Sequence, residues 1–147
     1  MLGKLRKGLF DLSLIGGSIL TSIYIAKNTA SFNITQGPSM SPTIEENSIL
    51  FVDHLFYKIR GVRKGDVVIF RSFFDDSILC KRVTRVAGDQ IEEGKPPVQE
   101  GWIFVEGDNK DQSFDSRMFG PIPKQLILGV ALAEVYPQTK ALTKTSS

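Results

Sequence analysis

The chain is poor in the residues from which metal and disulfide sites are built. A single cysteine, Cys80, excludes an internal disulfide framework and any zinc site made of cysteines. A single histidine, His54, excludes a multi-histidine metal site and leaves a Ser-His-Asp triad possible only if His54 belongs to it. An excess of one charge is also lacking: 18 Lys and Arg stand against 16 Asp and Glu, a net charge of +2. No basic stripe with interleaved aromatics is present, so no nucleic-acid partner is expected. Internal repeats are absent, and no long 3.6-period segment follows residue 30. The 147 residues are enough for about one domain with one real core.

What is there divides into three stretches. Residues 1–30 carry Lys4, Arg6 and Lys7 ahead of an apolar run from Leu9 to Ala26, broken only by Asp11 and small polar residues. At the helical rise this run spans about 27 Å, just short of the ~30 Å hydrocarbon layer, and is expected to be a membrane anchor helix. A cleaved secretory signal is a rival, but its small-x-small cleavage pattern is not clear. A buried amphipathic or core helix is the third reading. The basic cluster on the N-terminal side predicts an N-terminus in the cytoplasm or matrix, with everything after residue 30 sent across the membrane.

Residues 31–137 read as short strands between turn signals. Ser48–Asp53, Asp66–Arg71, Ile78–Val86, Trp102–Glu106 and Leu126–Tyr136 have strand patterns, punctuated by Gly61, Gly65, Gly88, Gly94, Gly101, Gly107 and Gly120. The expected fold is mainly β, a compact β-domain behind the anchor helix. The stretch 138–147 is polar and patternless, and is expected to be a disordered tail.

Three clusters are candidates for chemistry. The first is Gly37-Pro38-Ser39-Met40-Ser41-Pro42-Thr43, a serine between prolines that must sit in a sharp loop. By itself such a serine is ordinarily a turn former. The second is Lys81, which period-two alternation places on one strand face with Leu79 and Val83, opposite Cys80, Arg82 and Thr84. An edge lysine guarding against aggregation is the ordinary reading. A lysine desolvated by apolar neighbours is the other, and burial lowers its pKa from about 10.4 toward values at which a general base is neutral. A drop of roughly 2–3 units requires about 3–4 kcal/mol of differential destabilisation. The third is Gly107 to Arg117, GDNKDQSFDSR, followed by Phe119-Gly120-Pro121. A calcium loop fails here because Lys110 falls on a ligand position and the central glycine and final glutamate are missing. A solvated turn is the bland alternative, although Ser113 offers a hydroxyl to orient an amine and Asp115 with Arg117 offers a brace.

In this order and spacing, PSMSPT, CKRV and GDNKDQSFDSR resemble the type I signal peptidases, membrane-anchored serine proteases with a Ser-Lys dyad. The resemblance covers most of residues 31–137. Its short form, with few residues between Gly88 and Gly107, is similar to the mitochondrial inner membrane branch, subunit 1 type. The resemblance implies Ser39 as nucleophile, Lys81 as general base, Ser113 as the residue orienting the lysine, and Asp115 and Arg117 as a supporting pair. It also implies no cofactor and no metal. Presequence-bearing precursors are the implied substrates, with a second related peptidase subunit as partner and a catalytic domain facing the intermembrane space. Some bacterial members place a serine where this chain has Gly37, which leaves the oxyanion hole to backbone N–H groups, the Ser39 backbone first among them.

Other assignments stay open beside it. A bacterial signal peptidase and a catalytically silent membrane-anchored subunit are the alternatives; a LexA-type self-cleaving regulator lacks its DNA-binding domain here. The endoplasmic reticulum branch has histidine in place of Lys81, and the Asn33-Ile34-Thr35 sequon argues weakly against that compartment. His54 is expected to be structural or at the surface, Cys80 to be a small core residue, and Trp102 to pack in the core or at a membrane interface. Met40 is either core or part of a lipid-facing surface.

Overall fold

The computed structural model describes residues 15–18, 21–22 and 29–142. The expected anchor run therefore lies largely outside the described residues, as does the chain beyond 142. Among the described residues no helix is long and apolar enough to cross a membrane.

Eight strands follow in chain order: β1 (Ala30–Ile34), β2 (Ile49–Asp53), β3 (Val67–Arg71), β4 (Ile78–Arg85), β5 (Trp102–Glu106), β6 (Ile122–Pro123), β7 (Ile127–Tyr136) and β8 (Lys140–Ala141). Two short helices, α1 (Phe56–Arg60) and α2 (Ser116–Phe119), sit in the connections. The spatial order is β1-β2-β7-β3-β4-β5-β6, every pair antiparallel, with β8 added to β7. The mainly β expectation matches this, and each of the five sequence-predicted strands is found to within a residue or so of its expected bounds.

The sheet curls so that its central strand is covered on both sides. The unbroken apolar run of β3 is what such a strand requires. Val68 and Phe70 point into one cluster with Val83, Ile103, Val105 and Val130, while Val67 and Ile69 point into a second with Met40, Ile44, Leu50 and Val52. Met40 is thereby a core residue, and Cys80 packs against the second cluster. Register shifts in the β2–β7, β3–β7 and β4–β5 pairs mark where the sheet bends.

Three strands escaped the pattern reading, each for a physical reason. In β1 the alternation is inverted: Phe32 and Ile34 face outward, while Ser31 turns inward and bonds His54 Nε2 at 2.7 Å. His54 Nδ1 meets the Leu128 carbonyl at 2.7 Å, so the lone histidine links β1 and β7 and is structural. Strand β6 has two residues, below the length at which periodicity registers. Strand β8 corrects the expectation of disorder from residue 138: its pairing with Ala133 and Glu134, the Lys140–Glu134 ion pair at 2.7 Å and burial of Leu142 in the second cluster hold this polar segment down.

The helix α1 starts because Asp53, at the end of β2, accepts from the N–H groups of Leu55, Phe56 and Tyr57 at 2.8–3.0 Å. The centre of the fold has no spare room at Gly129 in β7. A Cβ there would lie 2.5 Å from Val52 and 2.8 Å from the Asp53 carbonyl. Gly129→Ala is expected to cost about 1–3 kcal/mol, read as a lowered midpoint in thermal or urea unfolding.

Candidate active site

Strand β4 carries Lys81 into the protein. Its register with β3 places Lys81 opposite Val68, and alternation puts it on the face of Val83, a core residue. Lys81 is 3% exposed and, among the described residues, makes no ion pair. Burial is the main cause that lowers its pKa from the ordinary lysine value; nearby Asp115 pulls the other way and Arg117 reinforces the drop. The neighbouring Cys80 thiol responds to the same burial in the opposite direction and is pushed up to about 12, which makes it a poor nucleophile.

Ser39 sits half-buried in the loop between β1 and β2. Met40 and Ile44, both sunk in the second cluster, clamp the loop on either side of the Ser41–Pro42 turn, and Ile44 N–H donates to the Met40 carbonyl at 2.9 Å. Gly37 takes φ +81, a conformation that disfavours a side chain, and its N–H donates to Glu46 Oε1 at 3.2 Å.

Ser39 and Lys81 line one cleft of about 390 Å³. Asn33, Thr35 and Gly37 border it on one side, Ser77 and Leu79 on the other, and Ile69 and Leu50 form part of its apolar lining. Beside this cleft β4 has an open edge. Its pairing with β3 runs over Ile78–Arg82, whereas its pairing with β5 begins only at Arg82. The outer backbone groups of residues 78–81 therefore have no partner strand among the described residues.

The third wall is the loop that follows β5. At Gly107 a Cβ would run into the Ser113 hydroxyl and come within 2.5 Å of the Ser39 carbonyl, so only glycine lets these two serines approach. Asn109 N–H donates to the Ser39 carbonyl at 3.1 Å. Asp115 is fully buried and accepts from Ser113 Oγ at 2.7 Å, Gly107 N–H at 2.9 Å and Arg117 Nε at 2.9 Å. Burial by itself would raise the Asp115 pKa, but the Arg117 side chain and these N–H and O–H donors hold it well below the usual carboxylate range.

All five sequence-predicted residues thus lie around one site. Ser39 and Lys81 share the cleft, and Asp115 pairs with Arg117. Ser113 spends its one proton on Asp115, which leaves its lone pairs as acceptors; among the described residues no hydrogen bond joins it to Lys81, nor Lys81 to Ser39.

The pattern reading passed over a second brace. Arg82 grips Asp108 in a two-pronged contact, Nε–Oδ1 at 2.9 Å and Nη2–Oδ2 at 2.7 Å, and a third donor reaches the Gly65 carbonyl at 2.9 Å. Thr43 of the serine loop also hydrogen-bonds Asp108. One carboxylate therefore ties β4, the loop after β5 and the Ser39 loop together. The signal was present in the alternation that sends Arg82 away from Lys81, but its partner lies 26 residues on.

Comparisons with known proteins show the family of the chain. A family model described as signal peptidase, peptidase S26, matches residues 11–95 and 92–136. Mitochondrial inner membrane protease subunit 1 of Mus musculus is 40% identical over 110 residues, covering 69% of this chain and 66% of the relative. Mitochondrial inner membrane protease subunit 2 of Schizosaccharomyces pombe is 32% identical over 147 residues, covering 92% and 82%. A probable signal peptidase I-2 of Synechocystis is 24% identical over 160 residues, covering 84% and 72%. The chain belongs to the signal peptidase family, peptidase S26. It spans just under two thirds of the length of the mouse relative.

Removing the Asp115 carboxylate strands the Gly107 N–H, the Ser113 hydroxyl and the Arg117 side chain together. Asp115→Ala is expected to destabilise the fold by about 2–4 kcal/mol in urea unfolding. The native Asp115 contributes stability that is complete above the ordinary aspartate pKa of ~3.9 and is lost as pH falls toward its depressed folded value. Wild-type stability should therefore drop below about pH 4, and the slope should be shallower in the variant.

Proposed function

We propose that the chain is a serine endopeptidase of the mitochondrial inner membrane in which Ser39 is the nucleophile and Lys81 the general base. Its substrates are precursors bearing hydrophobic sorting presequences, cut on the intermembrane-space side. The observation that carries the reading is a buried lysine, without an ion pair among the described residues, in the same cleft as a loop-borne serine.

Neutral Lys81 takes the proton of Ser39 Oγ as the oxygen attacks the scissile carbonyl. The Ser39 N–H, which donates to no group among the described residues, receives the developing oxyanion in this reading; Pro38 has no N–H and that of Gly37 is engaged by Glu46. Lysine then returns the proton to the leaving amine. Water attacks the acyl-enzyme with Lys81 again as base. Ser113, held by Asp115, offers its lone pairs to the lysine amine and orients it. Neither a metal nor a cofactor enters these steps.

The open edge of β4 at residues 78–81 suits an extended substrate that adds as a strand and lays alternate side chains into the cleft. An anchor formed by Leu9–Ala26 brings the enzyme to the surface on which its tethered substrates lie. The kinship with relatives named as subunit 1 and subunit 2 supports a heteromeric enzyme in which this chain works beside a second related peptidase subunit.

The test is cleavage of a membrane-tethered presequence substrate by the detergent-solubilised full chain, with and without a second subunit, the fragments being identified by mass spectrometry. Ser39→Ala and Lys81→Met should each lose at least about 10³-fold in rate. Cleavage by Ser39→Ala at the wild-type rate would overturn the assignment. The wild-type rate should climb with pH through the lowered Lys81 pKa, giving a limb centred below the ~10.4 of free lysine. Lys81→Met should also melt a few degrees higher, because an apolar side chain at a desolvated position is stabilising by on the order of 1 kcal/mol.

A further inference from the structure

A patch of phenylalanine rings takes no part in the chemistry above, and of its rings Phe119 packs against the first core cluster. Phe73 and Phe74 come from the turn between β3 and β4, Phe114 from the loop between Ser113 and Asp115, and Phe119 from the end of α2. The rings stack and tilt against one another with centroids 4.1–5.9 Å apart. Phe73, Phe74 and Phe114 are nevertheless 52%, 60% and 53% exposed, and Met118 of α2 is 70% exposed.

Such a surface is costly to leave in water. Half-exposed aromatic rings together with Met118 and the outward-facing Ile78 present apolar area on the order of 500 Å², near the largest patch found on ordinary monomers. That is a substantial share of the roughly 800 Å² each partner buries in a standard protein interface. The rings are also ordered by one another, so little side-chain freedom is lost on docking.

The charge around the rings indicates what covers them. The tip of the turn carries Asp75 and Asp76, both exposed. Asp75 accepts from the Ser77 hydroxyl at 2.7 Å, which fixes its carboxylate at the tip, and its pKa is lowered chiefly by hydrogen bonds from Ser72 and Ser77. Pushing this tip into a bilayer would carry two carboxylates into the headgroup region or beyond, and an anionic leaflet would repel them. A protein groove with an apolar floor and a basic rim meets neither objection.

We propose that the Phe73–Phe74–Phe114–Phe119 patch is the docking face for a second, related peptidase subunit that presents an apolar groove rimmed by lysine or arginine. This rests on the heteromeric reading above and assigns it a surface. The face is continuous with the site: Phe114 lies between Ser113 and Asp115, and Ile78, which lines the cleft, closes the same turn. Docking there would brace the turn that leads into the substrate edge of β4 and the loop that holds Ser113.

The experiment uses the full chain in membranes, co-expressed with the second subunit, with Phe74 replaced by a photo-crosslinking phenylalanine analogue. Adducts are identified by mass spectrometry, and cleavage of a tethered presequence substrate is measured on the same sample. The expected result is an adduct to the second subunit whose yield falls at least about tenfold in Asp75→Lys/Asp76→Lys, with the fold intact by circular dichroism. Adducts to lipid alone, to a second copy of this chain alone, or no adduct while the two subunits still co-purify would each overturn the docking face. An unchanged yield after charge reversal would overturn the basic rim. If cleavage persists while the adduct is missing, the docking face fails and the peptidase reading stands. If the unsubstituted enzyme does not cleave at all, the peptidase reading fails on its own account.

Discussion

Two carboxylates on one loop hold the cleft together. Asp108 reaches to Arg82 on β4 and to Thr43 of the serine loop; Asp115 gathers Gly107, Ser113 and Arg117. These bonds fix the walls, and they also settle the charge of the interior. Arginine stays protonated at any pH the protein meets, so each guanidinium offsets the charge of its carboxylate. Asp115 does favour the charged lysine, but Arg117 opposes it, and desolvation is left as the dominant influence. Burial among core residues thus lowers the Lys81 pKa, and Arg117 acts in the same direction.

The sheet supplies the other half of the arrangement. Strand β4 is shared unevenly, paired with β3 along its first five residues and with β5 only from Arg82 onward. Lys81 sits at the changeover, where one neighbour continues and the other has not begun. The same strand therefore presents a buried amine and, immediately before it, backbone groups with no second partner strand among the described residues. Gly107 completes the geometry because any larger residue would push the loop of Ser113 away from the loop of Ser39.

Much of this was legible in the residues. The strands with clear alternation or an unbroken apolar run were found, and Lys81 was placed on the face of Val83 by counting alone. The serine loop, the lysine strand and the GDNKDQSFDSR loop were identified as one constellation by their order. Legibility failed where contacts are long in sequence. Strand β1 reads as polar because Ser31 and Asn33 face inward to satisfy His54 and one another. Strand β8 looks like a tail until Glu134, buried on β7, is seen to need Lys140. The Arg82–Asp108 brace spans 26 positions and has no local signature.

By itself the sequence determined the strand content, the face on which Lys81 lies and the kinds of groups available for chemistry, because these follow from period-two alternation, turn residues and side-chain type. Only the tertiary structure decided which groups meet. Depth of burial, the closeness of Ser39 to Ser113 across Gly107, the edge of β4 with no partner strand among the described residues and the exposure of Phe73, Phe74 and Phe114 all depend on how distant segments pack. Desolvation and hydrogen bonding are set by those neighbours, and through them so is the chemistry of the lysine.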